Sequence, residues 1–241
     1  MESGRELEAL TREIESCRAC PRLVAWRERV AGERRASFRD QEYWGRPVGG
    51  FGDPGAAIAV VGLAPAAHGA NRTGRIFTGD RSGDWLFASM HRVGLANQAA
   101  SVSRDDGLEL YGIWVTASVR CAPPANKPSP AERDRCLPYL ERELALIGPV
   151  RVVVVLGQFA YDVVARLLGI RPKPRFGHGV EVAAPGGRTL ICSYHPSQQN
   201  TFTGKLTEPM TDAVFTRAAE LSGIGARPGH GATGGIASAG G

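Results

Sequence analysis

Four of the five cysteines fall in two separated pairs. Cys17 and Cys20 stand in CRAC, Cys121 and Cys136 lie further along, and Cys192 sits in an apolar run. A thiolate quartet is a stapling device, and three chemistries fit it. Disulfides are disfavoured: the opening MESGRELEALTREI is charged and has no apolar run, so a reducing cytosol is expected. Zinc accepts four cysteines, but familiar structural zinc sites use two short-spaced pairs, and fourteen residues separate Cys121 from Cys136. Iron–sulfur ligation tolerates such uneven spacing. The spacing leaves zinc and cluster open.

Three loops carry the other candidate chemistry. In GLAPAAHGANRTGRIFTGDRSGDW, residues 62–85, small residues such as Gly62 and Ala64 let backbone approach a ligand closely. Phe77 offers an aromatic platform there and Asp80 a carboxylate. In RCAPPANKPSP, Pro123, Pro124 and Pro128 stiffen a loop that presents Asn126. In SYHPSQQNTFTGKLT, His195 follows a strand end and can hydrogen-bond or protonate a ligand. Asp80 has a structural reading too, as the cap of a helix beginning near Ser82. His68, His91 and His178 read as structural. TGKLT is not a phosphate loop, because Leu206 stands where Ser or Thr is needed and Gln199 replaces the upstream glycine.

The elements that must position these loops alternate. Leu7, Leu10 and Ile14 mark an amphipathic helix over 5–16, ending at the first cysteine pair. AIAVVG (57–62), YGIWVTAS (111–118) and RVVVVLG (151–157) read as buried strands, with weaker strands at 180–183 and 189–194. Helices are expected over about 83–93, from the capping box Ser129-Pro130-Ala131-Glu132 to about Ile147, over 158–168 and over about 207–222. The alternation predicts one α/β domain, a three-layer α/β/α arrangement with a mostly parallel central sheet. Sites in such sheets form at the carboxyl ends of strands, where all three loops emerge.

At 241 residues and 43% hydrophobic content the chain can bury a sizeable core, and no apolar stretch approaches the ~20 residues of a membrane span. The net charge is +5, carried by 26 Arg and 3 Lys. Arginine forks suit phosphate oxygens, yet GC-rich codon usage gives the same bias, so charge decides nothing. The arginines from Arg22 to Arg39 read as a solvated helix face ahead of a phosphate-facing one. The domain is expected over 1–222. Residues 223–241 hold 8 Gly in 19 residues and are expected to be disordered, with His230 inert among them.

Taken together, GLAPAAHGANRTGRIFTGD, RCAPPANKP, HPSQQNTFTGKLT and the four cysteines resemble the family 5, or B-type, iron–sulfur uracil-DNA glycosylases over about residues 10–220. The resemblance implies that Cys17, Cys20, Cys121 and Cys136 hold a structural [4Fe–4S] cluster. It implies a monofunctional DNA glycosylase that flips uracil, hypoxanthine and other deaminated bases out of double-stranded DNA and hydrolyses the N-glycosidic bond, initiating base excision repair. His195 would donate a hydrogen bond to the departing base, Asp80 would stabilise the sugar cation or position water, and Asn126 would bind the base or the water. Gly62, Ala64 and Phe77 would receive the base, while Ser197, Asn200 and Lys205, in a loop that wedges into the duplex, would hold DNA.

Departures from the A-type, uracil-strict branch point to the broader specificity. Leu63 and Ala66 replace that branch's acidic GEAPG text, and Thr116-Ala117-Ser118 stands where it places an asparagine. The basic insert ending in histidine of a third, covalently linking branch is absent from GRIFTGDRSGDW. A cytoplasmic, nucleoid-associated monomer is expected.

Overall fold

The computed structural model describes residues 2–225. In chain order the elements are α1 (Glu2–Ser16), α2 (Pro21–Glu33), β1 (Phe51–Gly52), β2 (Ile58–Gly62), α3 (Ala70–Thr73), α4 (Arg81–Arg92), β3 (Ile113–Ala117), α5 (Pro130–Leu146), β4 (Val152–Leu156), α6 (Gln158–Leu167), β5 (Glu181–Ala184), β6 (Arg188–Ser193), α7 (Gln198–Phe202) and α8 (Glu208–Ser222). The six strands form one sheet in the order β1-β3-β2-β4-β6-β5. The four inner strands run parallel, with Val60 opposite Val115 and Val154, and only the edge strands β1 and β5 are antiparallel.

β2, β3 and β4 are buried at every position, because helices cover both faces. Ile58, Val60, Val115 and Val154 pack under Leu86 and Phe87 of α4 and Phe215 of α8. Ala59, Val61, Val153 and Val155 pack under Leu140 of α5 and Tyr161 and Val164 of α6. Each such valine contributes about 1.5–3 kcal/mol on burial. This is the expected three-layer α/β/α arrangement. The capping box is formed as well: Glu132 N donates to Ser129 Oγ at 3.3 Å and Ser129 N to Glu132 Oε2 at 2.7 Å.

Two expectations change. The folded part runs past residue 222, since Gly223 caps α8 in the left-handed region (φ 73°) and Ile224 packs against the core. The rest of the glycine-rich tail, with His230, lies outside the described residues. The arginines of α2 are exposed at Arg22 and Arg29, as expected of a solvated face, but not at Arg27. Arg22 grips Glu132 with Nε at 2.8 Å and Nη2 at 2.6 Å, and Arg27 is buried, donating from Nη1 to Cys121 Sγ at 3.0 Å.

Candidate active site

β2, the strand from which the chain departs to both sides of the sheet, ends beside β4 and close to β6, and a cavity of about 510 Å³ opens there. Asp80, His195, Asn126, Ala64, Phe77 and Ser197 all line it, though they come from three loops. Leu63, Ala66, Ile76, Arg81, Ser82, Gln198 and Gln199 complete the wall. A larger hollow, about 620 Å³, lies against β1, but its two arginines are already paired: Arg75 with Asp106 and Arg104 with Glu15.

The floor is set by Phe77, 7% exposed and held at φ 54°. A left-handed backbone costs a bulky residue roughly 1–2 kcal/mol, so the surroundings must impose it. They do so from two sides. Gly83 brings α4 so close that a Cβ there would lie 1.7 Å from the Phe77 carbonyl oxygen. Behind Thr78, a buried network joins Thr78 Oγ1, Ser101 Oγ and the Arg75–Asp106 pair. Gly62 does not line the cavity. Its missing Cβ makes room for the Phe77 ring, whose Cζ would be 2.7 Å away.

Asp80 caps a helix and lines the cavity at the same time. Its Oδ1 caps α4, accepting from Ser82 N at 2.9 Å and Gly83 N at 3.0 Å. No described residue donates to Oδ2. Burial pushes the carboxyl above its ordinary range; the two backbone N–H groups, and more weakly Arg72, oppose that, and Asp84 adds to it.

His195 faces Phe77 with ring centroids 6.0 Å apart. Its backbone is tied down by Asn200, whose Nδ2 donates to His195 O at 2.9 Å, and Gly157, at the end of β4, comes close to its Cβ. Neither ring nitrogen meets a described partner. Desolvation holds the imidazole down at about 4, so near neutrality it carries no charge and offers one N–H as a donor.

Asn126 is exposed at the mouth with φ 55°, following Ala125 at φ 51°. Asn200 and Lys205 are not in the wall: Asn200 positions His195, and Lys205 Nζ sits 4.9 Å above the Tyr194 ring. Phe202, missed by the sequence reading, stands 65% exposed at the end of α7 with the Arg81 guanidinium 4.5 Å over its ring.

No disulfide joins any of the five cysteines. Cys20, Cys121 and Cys136 share one buried cluster with Leu23 and Val119, and Cys17 is half-buried. Burial pushes the Cys121 thiol up to about 12 against the pull of Arg27. Among the described residues, no three His, Cys, Asp or Glu side chains are placed as ligands of one metal ion.

Residues 50–219 match the model of the uracil DNA glycosylase superfamily. A type-5 uracil-DNA glycosylase of Mycobacterium bovis is 56% identical over 222 residues, 91% of this chain and 82% of the relative. That of Thermus thermophilus is 51% identical over 90% of this chain and 99% of its own length. A type-4 enzyme of Pyrobaculum aerophilum reaches 29%, over 65% of this chain and 74% of the relative. On the family match over residues 50–219 and these identities, the chain belongs to the uracil DNA glycosylase superfamily and to its type-5 branch.

Proposed function

We propose that this chain excises uracil, hypoxanthine and related deaminated bases from double-stranded DNA by hydrolysing the N-glycosidic bond, leaving an abasic site for base excision repair in the cytoplasm. The observation that carries the reading is the convergence of an uncharged His195, a free Asp80 oxygen and the Phe77 ring on one cavity. A base inside a duplex must be flipped out to reach such a pocket, at a cost of a few kcal/mol that is smallest for mispaired or damaged bases. Phe202, exposed beside the mouth, is suited to fill the vacated stack. Phe77 would stack on the extruded base.

As the bond from C1′ to the base breaks, its electron pair leaves with the base and positive charge grows on the sugar. His195 donates its N–H to the base carbonyl oxygen that becomes anionic; with the imidazole uncharged, this is hydrogen bonding and not proton transfer. The Asp80 carboxylate opposes the sugar cation and accepts a hydrogen bond from the water that attacks C1′, then takes the proton which that water loses and releases it to solvent, from which the anionic base is protonated. Asn126, at the mouth, contacts the base or that water. Leu63, Ala64 and Ala66 give the wall no strict reader of the uracil edge, which supports a broad substrate range. No lysine lines the cavity: Lys127 and Lys205 are exposed, and Lys173 is paired with Asp162 at 2.6 Å. A Schiff base with the sugar therefore has no nucleophile, and the strand is left intact.

Cys17, Cys20, Cys121 and Cys136 fit a [4Fe–4S] cluster. Two buried guanidiniums, Arg27 and Arg120, flank these thiols, and each leaves its Nε without a partner. Arg120 is balanced by Glu143 at 2.8 Å, whereas Arg27 has only Glu28 at 3.9 Å, so an anionic centre would complete its charge balance. A single zinc ion would draw all four sulfurs to about 2.3 Å of one point, while a cluster gives each cysteine its own iron. The group would act structurally, clamping the α1–α2 junction to the loop that bears Asn126.

Duplexes carrying one uracil, hypoxanthine or xanthine test the function. Release of free base with an alkali-labile strand is expected for each. No free base released and a strand that survives alkali on all of them contradict the reading.

A further inference from the structure

Arg72 lies in α3, does not line the cavity and is 9% exposed, yet all three of its guanidinium nitrogens are engaged. Its Nε donates to His68 O at 2.9 Å, Nη1 to Gln41 Oε1 at 2.5 Å and Nη2 to Gly79 O at 2.8 Å. The Phe38 ring lies 4.0 Å beneath Cζ. All of these partners are neutral, which is unusual for a buried cation and suggests that its charge is used elsewhere. Gly79 immediately precedes Asp80. It adopts φ 73°, and a Cβ on it would lie 2.3 Å from Arg72 Nη2. The glycine thus allows both the turn and the close approach of the guanidinium.

We propose that Arg72 is a positioning residue for base excision. By holding the Gly79 carbonyl it fixes the direction in which the Asp80 side chain enters the cavity, and its buried positive charge is the counter-charge for that carboxylate. The inference rests on the glycosylase reading and on the role given there to Asp80. The groups that face Asp80 are few. Asp84 and Arg81 stand on α4, His195 reaches in from the loop after β6, and His68 lies beside Arg72; among them Arg72 is the cation that favours the ionised Asp80. Burial disfavours charge on both partners, and their mutual attraction only partly offsets it. Loss of the Arg72 charge therefore moves Asp80 further toward its protonated form. Through a one-residue lever, misplacement of the carboxylate costs rate on the scale of roughly 10²-fold for a 1 Å error.

Arg72→Gln, Arg72→Lys and the surface variant Gln41→Glu separate the two parts of the role. With a single-uracil duplex, Arg72→Gln is expected to lower the single-turnover rate at neutral pH by roughly 10²-fold, with the acid limb of its pH profile moved to higher pH and duplex affinity unchanged. Arg72→Lys keeps the charge, so its rate falls while its acid limb stays. Gln41→Glu places a competing carboxylate on the guanidinium without touching the core. It moves the acid limb in the same direction as Arg72→Gln and serves alone if that variant does not fold. An acid limb unmoved in Gln41→Glu and in any folded Arg72→Gln protein overturns the proposal. Wild-type protein inert on the uracil duplex would instead overturn the glycosylase reading beneath it.

Discussion

The free oxygen of Asp80 occupies the space that a side chain at residue 69 would need: a Cβ on Gly69 would lie 2.0 Å from Asp80 Oδ2. The glycine-rich loop after β2 thus makes room for the carboxylate that lines the cavity. Gly69→Ala is expected to expel that oxygen and to lower the excision rate by roughly 10²-fold while the duplex is still bound. Single-turnover rates set beside binding isotherms check this. Equal losses of rate and affinity would assign Gly69 a role in DNA contact instead.

Asp80→Asn removes the charge and keeps a good cap, since Asn and Asp serve equally at that position. The folded carboxyl titrates above its ordinary 3.8, so Asp80 gives up stability as pH rises through its folded pKa and regains it as pH falls. The asparagine variant should therefore melt at or above the wild-type temperature at neutral pH. A lower melting temperature would show that Asp80 is primarily structural.

His195 titrates in the opposite sense. Folded at about 4 against an ordinary 6.5, it takes up its proton more readily in the unfolded chain, so stability falls as pH drops through that window and levels off below it. The loss is at most about 3 kcal/mol. Denaturant unfolding of wild type and His195→Phe across pH 4–7 checks this, and the variant should show the shallower pH dependence. The same value predicts that excision above pH 5 is insensitive to His195 ionisation.

The elements of the fold could be read in the chain because their signals are local. Ser129 and Glu132 announce α5 three residues apart, and the unbroken apolar runs announce β2 and β4. What could not be read is the partner of each arginine. Arg27 looks like a solvent-facing charge in a basic stretch and nothing local marks Arg72, and only the packing of α2 and α3 shows that one meets a thiol and the other the Gly79 carbonyl. Likewise α7, five residues long, has no period to detect, so the exposed Phe202 at its end was hidden.

Phe202→Ala should slow excision of uracil paired in a duplex by about tenfold or more, on the scale of 1–3 kcal/mol for a lost stacking contact. It should leave single-stranded substrate much less affected, because an unpaired base needs no wedge. Equal effects on both substrates would place Phe202 outside base extrusion.

Purified under anaerobic conditions, the protein should carry about four irons per chain and a broad visible absorbance that Cys121→Ser diminishes. Arg27→Met should lose iron to a chelator faster than wild type. A colourless protein with one zinc per chain would reverse the assignment of the four thiols.

The central claim is that Asp80, in the cavity it shares with His195 and Phe77, drives cleavage of the glycosidic bond. Single-turnover excision from a duplex with one uracil, by wild type and Asp80→Asn at matched duplex occupancy, tests it most directly. The account predicts unchanged affinity and a rate lower by 10²-fold or more, the scale of one acid–base or charge-stabilising group. An asparagine variant that excises uracil at the wild-type rate would contradict it.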